Sequence, residues 1–263
     1  MEFQFDRFDQ QFAKIQAATA DVEGWLTPRE IEFVSLLAAV PTAAGEILEI
    51  GSFRGKSTIA LALGSELEHD SPRISVVDPF PAFGENETNS EAPTSRELFE
   101  RNIGTAGVAE RIEINQMLSG DLVEKWDRPL RLLWVDGDHT YEGANIDIQG
   151  FSPFLVDGGI IACHDILTPF GCTQSFKENI VENPHYGPIG FCGSIGWAKY
   201  NQDPAQAIPF AKAKQQLEQK LSRLCIGKSF ETVSGVERMI YKFNRWFIPH
   251  GRVDRKDWVR AVA

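Results

Sequence analysis

Carboxylates and imidazoles gather at two places in this sequence. Asp136 and His139 lie within an Asp-Gly-Asp-His segment, and His164 and Asp165 lie within a Cys-His-Asp segment. Each segment directly follows a short apolar run, which is typical of a buried strand. Because the ends of neighbouring strands lie ~5 Å apart, we expect Asp136, His164 and Asp165 to bind one divalent cation.

These residue types suggest how a hydroxyl group could be made nucleophilic. Carboxylates such as Asp136 favour Mg²⁺, whereas an imidazole ligand from His164 would favour Mn²⁺ or Fe²⁺. His164 could instead form a hydrogen bond behind the metal ligands. A bound cation lowers the pKa of a hydroxyl, and His139, whose imidazole titrates near neutral pH, is the candidate general base.

A glycine-containing turn after an earlier apolar run predicts a cofactor site. The segment Glu49-Ile-Gly-Ser-Phe-Arg-Gly-Lys-Ser57 has one residue too few between its glycines for a phosphate-binding P-loop. The dinucleotide motif needs a glycine where Phe53 stands. Glu49 would repel a pyrophosphate but attract the cationic amino-acid end of S-adenosylmethionine. Asp78, at the end of the next apolar run, would accept hydrogen bonds from both ribose hydroxyls.

Strands and helices that position these residues are expected to alternate along the chain. Helices are expected between apolar strands, which cover 46–50, 74–77, 112–114, 130–135, 159–163 and two runs within 187–200. Such alternation indicates βαβ units. We therefore predict an α/β fold: a doubly wound, mostly parallel seven-stranded sheet, Rossmann-like, with helices on both faces.

The expected domain organisation is one domain with terminal additions. Residues 1–44 form an N-terminal helical segment, 45–200 form the cofactor-binding domain, and 201–263 form a C-terminal helical extension packed on the same domain. Thr27-Pro-Arg-Glu30 fits a capping box, which predicts a helix that begins at Pro28.

The sequence resembles the class I S-adenosylmethionine-dependent methyltransferases over residues 45–200. The glycine turn is similar to their first motif, and Val77-Asp78-Pro79 is similar to their second. Within the class it is most similar to the metal-dependent macrocin-type and catechol-type O-methyltransferases. Catechol-type enzymes carry the base, a lysine, three positions after the metal-binding Asp, where this chain has His139. The resemblance implies a cofactor-binding set of Glu49, Gly51, Ser52, Phe53, Gly55, Ser57, Asp78, Ser119, Asp121 and Asp136.

Composition limits the partners and the compartment. The net charge is −11 without a basic run, which argues against nucleic acid. The chain lacks an apolar run of the ~18 residues that a membrane span needs and lacks a secretory signal, so we expect a cytoplasmic protein without a membrane partner.

Its four cysteines lack a Cys-x-x-Cys pair and are expected to be free thiols. Aromatic-basic clusters within 241–258 are consistent with a surface helix or the contact of a homo-oligomer.

The leading hypothesis is a metal-dependent O-methyltransferase acting on a hydroxyl of a sugar or other small natural product. The loop 79–95 and the segment after 165 are expected to cover the acceptor with the aromatic residues Phe80, Phe83, Phe170 and Tyr186. Two alternatives stay open. Two histidines and one carboxylate could bind iron in a hydroxylase-like enzyme, and the chain could bind the cofactor without catalysis.

Overall fold

One sheet forms the centre of the molecule. The computed structural model describes residues 3–68, 71–80, 93–168, 171–225 and 234–263. The strands within these residues are β1 (Glu46–Ile50), β2 (Ile74–Val77), β3 (Ile112–Asn115), β4 (Leu130–Val135), β5 (Leu155–Cys163), β6 (Tyr186–Cys192) and β7 (Ile195–Tyr200). They lie in the order β3-β2-β1-β4-β5-β7-β6.

The sheet is mixed, because one strand is reversed. The pairs from β3 across to β5 are parallel, whereas β7 runs antiparallel to both β5 and β6. The reversal follows from the short connection Gly193-Ser194 between β6 and β7, since a two-residue turn can join only antiparallel neighbours. The predicted seven strands are present, and most of their pairings are parallel.

Helices follow most of the strands. The helices are α1 (Phe5–Thr19), α2 (Pro28–Ala39), α3 (Lys56–Ser65), α4 (Ser95–Thr105), α5 (Ser119–Val123), α6 (Tyr141–Phe151), α7 (Cys172–Phe176), α8 (Ala211–Ser222), α9 (Gly235–Trp246) and α10 (Arg255–Val262). The capping box at the start of α2 is present: the Thr27 N–H donates to the Glu30 carboxylate at 2.9 Å. Among the described residues no helix is long and apolar enough to cross a membrane.

Alternate residues of the central strands pack on opposite sides of the sheet. Ile47 and Trp134 belong to one buried core with residues of α1 to α4. Leu48 and Leu133 belong to a second core with residues of α6 to α8. Period-two alternation with both sides apolar is what a doubly covered sheet requires. Helices therefore lie on both faces.

The two ends of the chain pack on this same centre. Phe8 of α1 lies in the first core together with Trp258 of α10. The Trp258 ring lies edge-on to Phe33 of α2, with ring centroids 5.7 Å apart, and to Trp197 of β7, at 5.9 Å. Aromatic pairs of this geometry stabilise a fold beyond the area that they bury.

Replacing Trp258 with Ala should lower the free energy of unfolding by about 3–5 kcal/mol, because the side chain is buried between two aromatic rings. Urea denaturation measures this change. The matched control is Trp246→Ala, which removes an exposed indole and should change stability by less than about 0.5 kcal/mol. Equal effects of the two substitutions would contradict the packing of α10 on the core.

Candidate active site

A large cavity opens at the carboxyl ends of the parallel strands. Its wall contains Gly51 after β1, Asp78 after β2, Asp136 after β4 and His164 after β5. The strand order switches direction between β1 and β4, which is where open α/β sheets bind ligands. The volume is about 1210 Å³, above the ~300–1,000 Å³ of most single-ligand sites. There is room for a cofactor and an acceptor together.

The glycine turn is held against the loop after β4. Gly51 has a φ of +80°, and a Cβ built on it would lie 2.1 Å from the Asp136 carbonyl oxygen. Only glycine therefore fits at this position. Gly55, with a φ of +89°, precedes the first residue of α3.

Asp78 fixes the same turn from the neighbouring strand. One of its carboxylate oxygens accepts the N–H groups of Ser52 and Phe53, each at 2.8 Å, and the other accepts the N–H of Phe80 at 2.6 Å. Asp78 also lines the cavity. A carboxylate has about four lone-pair sites, so Asp78 can hold the loop and still accept a ligand hydroxyl.

Glu49 lies behind the cavity wall. It is fully buried, and its carboxylate accepts hydrogen bonds from the hydroxyls of Ser57 and Thr58 at the start of α3. Burial raises its pKa to about 8, and the carboxylates of Asp136 and Asp78 add to the increase. Ser57 lines the cavity, whereas Glu49 does not. These contacts give Glu49 a role in holding the helix start, while its direct contact with the methionine end of the cofactor stays a prediction.

Asp136, His139 and Asp165 come together at one end of the cavity. His139 Nε2 lies 3.5 Å from Asp136 Oδ1 and 3.5 Å from Asp165 Oδ2. One ligand atom from each of the three residues lies within 4.8 Å of the others, a spacing that suits a metal ion. Asp165 has a φ of +53°, and such strained backbone clusters at functional sites.

His164 lies beneath this cluster. It is buried, and its Nδ1 lies 3.1 Å from Asp136 Oδ1, while its Nε2 lies 3.9 Å from a carboxylate oxygen of Glu30. Burial lowers the pKa of His164, but the attraction of Asp136 and the other carboxylates is stronger and raises it to about 9. The structure therefore brings His139 into metal-binding range beside the two aspartates, and places His164 at hydrogen-bond distance from Asp136.

The two imidazoles affect the aspartates unequally. Burial tends to raise the pKa of Asp136, yet His164 and His139 together lower it below its usual value. Burial dominates for Asp165, whose pKa is raised. A hydrogen bond to Asp136 raises the pKa of His139. Asp136 is therefore the more firmly ionised carboxylate of the pair.

Residues that the sequence analysis did not single out also line the cavity. The Trp25 ring, largely exposed, lies 4.9 Å from the Phe53 ring, and Glu23 pairs with Arg54. Trp25 and Glu23 come from the connection between α1 and α2. Nothing in the local sequence indicates this placement, since it depends on how the N-terminal helices pack.

Asp147 is a further cavity residue that the sequence analysis did not single out. It lines the cavity, its side chain is buried, and one carboxylate oxygen has no hydrogen-bond partner among the described residues. Burial raises its pKa to about 6. The sequence does carry a signal, because Asp147 occupies a buried position of α6 between Ala144 and Ile148, where an apolar residue is expected.

Of the other residues predicted to bind the cofactor, the structure places some at the cavity and one away from it. Ser119, Ser52 and Phe53 line the cavity, whereas Asp121 is exposed outside it. The direct role of Asp121 beside the adenine is not supported, because its side chain points to solvent from α5.

Four aromatic residues were expected to cover the acceptor, and two of them, Phe80 and Tyr186, lie within the described residues. Phe80 packs against Phe99, with centroids 5.2 Å apart. Tyr186 is buried in β6 against Tyr200, so the expectation that it covers the acceptor is wrong. Phe83 and Phe170 lie outside the described residues.

Comparison with known proteins gives a consistent result. Residues 48–166 match the model of a family described as a methyltransferase domain. The fold is similar to that of the O-methyltransferase NovP, with 15% identity and a TM-score of 0.60 over 74% of this chain and 98% of that one.

Two further solved structures were obtained with cofactor or product. The O-methyltransferase from Bacillus cereus, in complex with SAH, is 20% identical over 73% of this chain and 91% of its own, with a TM-score of 0.51. TomG from Streptomyces achromogenes, in complex with SAM, is 18% identical over 73% and 90%, also with a TM-score of 0.51. At these identities the likeness shows the fold.

Glu49→Gln should flatten part of the pH dependence of stability. Between pH 4.5 and about 8 the folded protein keeps a proton on Glu49 that the unfolded chain releases. The contribution of Glu49 to the free energy of unfolding therefore falls as pH rises through this window and is constant above it. Urea denaturation at several pH values measures the slope. The exposed Glu124→Gln is the control, and an identical slope in wild type and Glu49→Gln would refute the prediction.

Proposed function

We propose that this chain, whose residues 48–166 match a methyltransferase domain, is a class I S-adenosylmethionine-dependent methyltransferase. We propose further that it methylates a hydroxyl of a sugar or other small natural product with the help of a divalent metal ion. The observation that carries this proposal is the convergence of Asp136, His139 and Asp165 at one end of the cavity. S-adenosylmethionine supplies an electrophilic methyl group, so the protein must position a hydroxyl oxygen and remove its proton.

The cavity residues fit the cofactor. Asp78 would accept the ribose hydroxyls, and the glycine turn, whose Ser52 and Phe53 N–H groups already donate to Asp78, would pack against the methionine part. Within the described part of the chain, one buried carboxylate oxygen of Asp147 has no hydrogen-bond partner, and the Ser119 side chain is hydrogen-bonded to the carboxylate. An adenine amino group supplies the donor that such an oxygen needs. We therefore place adenine beside Ser119 and Asp147, in place of the predicted Asp121.

The donor set also fits a hard divalent cation. Asp136 and Asp165 offer carboxylate oxygens on one side of the cavity, as Mg²⁺ requires, and we assign His139 beside them to proton transfer and not to ligation. A cation held there would lower the pKa of the acceptor hydroxyl and fix its direction. We assign His164, expected to be a ligand, to orienting Asp136 through their 3.1 Å contact.

His139 is the proposed general base. Its imidazole is the most exposed side chain of the cluster, so one side remains open to the cavity. The neutral ring can accept the hydroxyl proton, and the carboxylates of Asp136 and Asp165, each 3.5 Å away, then stabilise the imidazolium. The His139 carbonyl accepts the Gly171 N–H at 3.1 Å, which holds the loop in place.

A second candidate rests on the two imidazoles near one carboxylate. His139 and His164 lie 3.5 and 3.1 Å from the same oxygen of Asp136, so an iron-dependent hydroxylase-like enzyme is the alternative. It predicts oxygen consumption that requires Fe²⁺ and is independent of S-adenosylmethionine. Neither activity would occur in a protein that only binds the cofactor.

We further propose a cytoplasmic location. All four cysteines lie within the described residues, and each is a free thiol. Free thiols of this kind suit a reducing compartment. The proposed partner is a small-molecule acceptor, since the net charge of −11 disfavours nucleic acid.

His139→Ala should lower turnover by about 10²–10⁴-fold, because the proton acceptor is lost, while the affinity for S-adenosylmethionine stays within about twofold. The measurement is formation of S-adenosylhomocysteine with a panel of sugars, nucleotide sugars and catechols. EDTA should stop turnover, and Mg²⁺ or Mn²⁺ should restore it. His185→Ala, at a histidine stacked on Tyr200 away from the cavity, is the matched control. Full activity of His139→Ala would rule out the base assignment.

Asp78→Asn should weaken S-adenosylmethionine binding by about ten- to a hundredfold, since a charged acceptor is worth about 1.5–3 kcal/mol. Calorimetric titration measures the affinity. The matched control is Asp121→Asn, at an exposed carboxylate outside the cavity, which should bind as the wild type does. Equal loss in both variants would contradict the assignment of the ribose site.

A further inference from the structure

Helix α9 turns an apolar face away from the protein. Six large apolar side chains recur with helical spacing along one side, each more than half exposed and Trp246 78% exposed. The members of this outer face of α9 are Val236, Met239, Ile240, Phe243, Trp246 and Phe247. An ordinary surface helix buries its apolar stripe against the core, so this helix is oriented the opposite way.

The orientation is fixed by contacts on the other side of the helix. Tyr241 is buried in the second core, and Ile248, just after the helix, is buried there too. Ser234 and Glu237 form a capping box, in which the Ser234 N–H donates to Glu237 at 2.8 Å. The helix is therefore anchored through Tyr241, and the outer face of α9 cannot turn inward without breaking that packing.

The charges around the outer face indicate what covers it. Helix α9 carries three basic residues, Arg238, Lys242 and Arg245, and one acidic residue, Glu237. The helix is therefore basic, although the whole chain has a net charge of −11. Arg238 and Lys242 are exposed. By helical spacing, Lys242 borders the apolar stripe, whereas Arg238 and Arg245 lie farther round the helix. An apolar stripe of Trp, Phe and aliphatic residues with basic residues on the rest of the helix is the pattern of a helix that lies in a membrane surface. A second α9 related by two-fold symmetry would bring no additional kind of acidic partner to Lys242, because Glu237 is the single acidic residue of this helix.

We propose that the outer face of α9 binds the surface of a membrane that contains anionic lipids. The helix has 12 residues and is ~18 Å long, too short to cross a ~30 Å hydrocarbon layer. It therefore lies in the plane of the headgroups, with Phe243, Trp246 and Phe247 inserted and Lys242 near the lipid phosphates. The absence of a spanning segment, on which the expectation of no membrane partner rested, has no bearing on binding of this kind.

The test is co-sedimentation of the full chain with vesicles of phosphatidylcholine alone and of phosphatidylcholine mixed with phosphatidylglycerol. We expect binding to the mixed vesicles at least about fivefold stronger than to phosphatidylcholine, and weaker at high salt. Phe243→Ser combined with Trp246→Ser should lower the partition coefficient by about two orders of magnitude. Lys242→Glu should lower it at least about fivefold.

Matched controls separate this face from general surface changes. Ile208→Ser removes an exposed apolar side chain elsewhere, and Lys212→Glu reverses a charge on α8. Both should bind vesicles as the wild type does, and thermal unfolding should show that all variants fold. Lack of binding to mixed vesicles at low salt would overturn the proposal, as would equal binding by the Phe243/Trp246 variant. A dimer in sedimentation velocity that this variant dissociates, without vesicle binding, would overturn it in favour of a subunit contact.

Discussion

The backbone of Gly51 lies so close to the carbonyl oxygen of Asp136 that any side chain at position 51 would collide with it. This contact joins the turn after β1 to the loop after β4 at the place where the strand order reverses. The turn lines the cavity with Gly51, Ser52 and Phe53, and the loop lines it with Asp136 and His139. The distance between the cofactor end and the acid-histidine cluster is therefore set by the backbone, which suits a reaction whose rate depends on alignment.

The site concentrates negative charge, and the protein stabilises each carboxylate differently. Asp78 accepts three backbone N–H groups, and Asp136 is paired with two imidazoles. Glu49 accepts two hydroxyls behind the wall and, with a pKa raised to about 8, keeps its proton at neutral pH. Such an environment favours cations. A sulfonium and a divalent metal are both cationic, so one electrostatic arrangement serves both proposed ligands.

Much of this arrangement could be predicted from local sequence. The seven strands follow from short apolar runs, and their ends bring together Asp136, His139, His164 and Asp165, as expected. The capping box at Thr27 marked the start of α2. These features depend on residues near one another in the chain, or on the general rule that parallel strands end at one edge of a sheet.

What the sequence did not reveal depends on packing between distant segments. Glu49 was expected to face the ligand, but the hydroxyls of Ser57 and Thr58 hold it behind the wall. Trp25 reaches the cavity only because α1 and α2 pack on α3. Asp147 occupies a position of α6 that the helical pattern assigns to an apolar residue, so it was not recognised as a site residue. The outward apolar face of α9 can be recognised only once Tyr241 is seen to point inward.

The proposed place of the cofactor is tested most directly by calorimetric titration of S-adenosylmethionine, and separately of ATP, into metal-free protein. Our account predicts micromolar binding of S-adenosylmethionine and no binding of ATP, because the carboxylates of Asp78 and Asp136, which line the cavity, repel a polyphosphate and attract a sulfonium. Binding of ATP alone, or of neither compound, would contradict it.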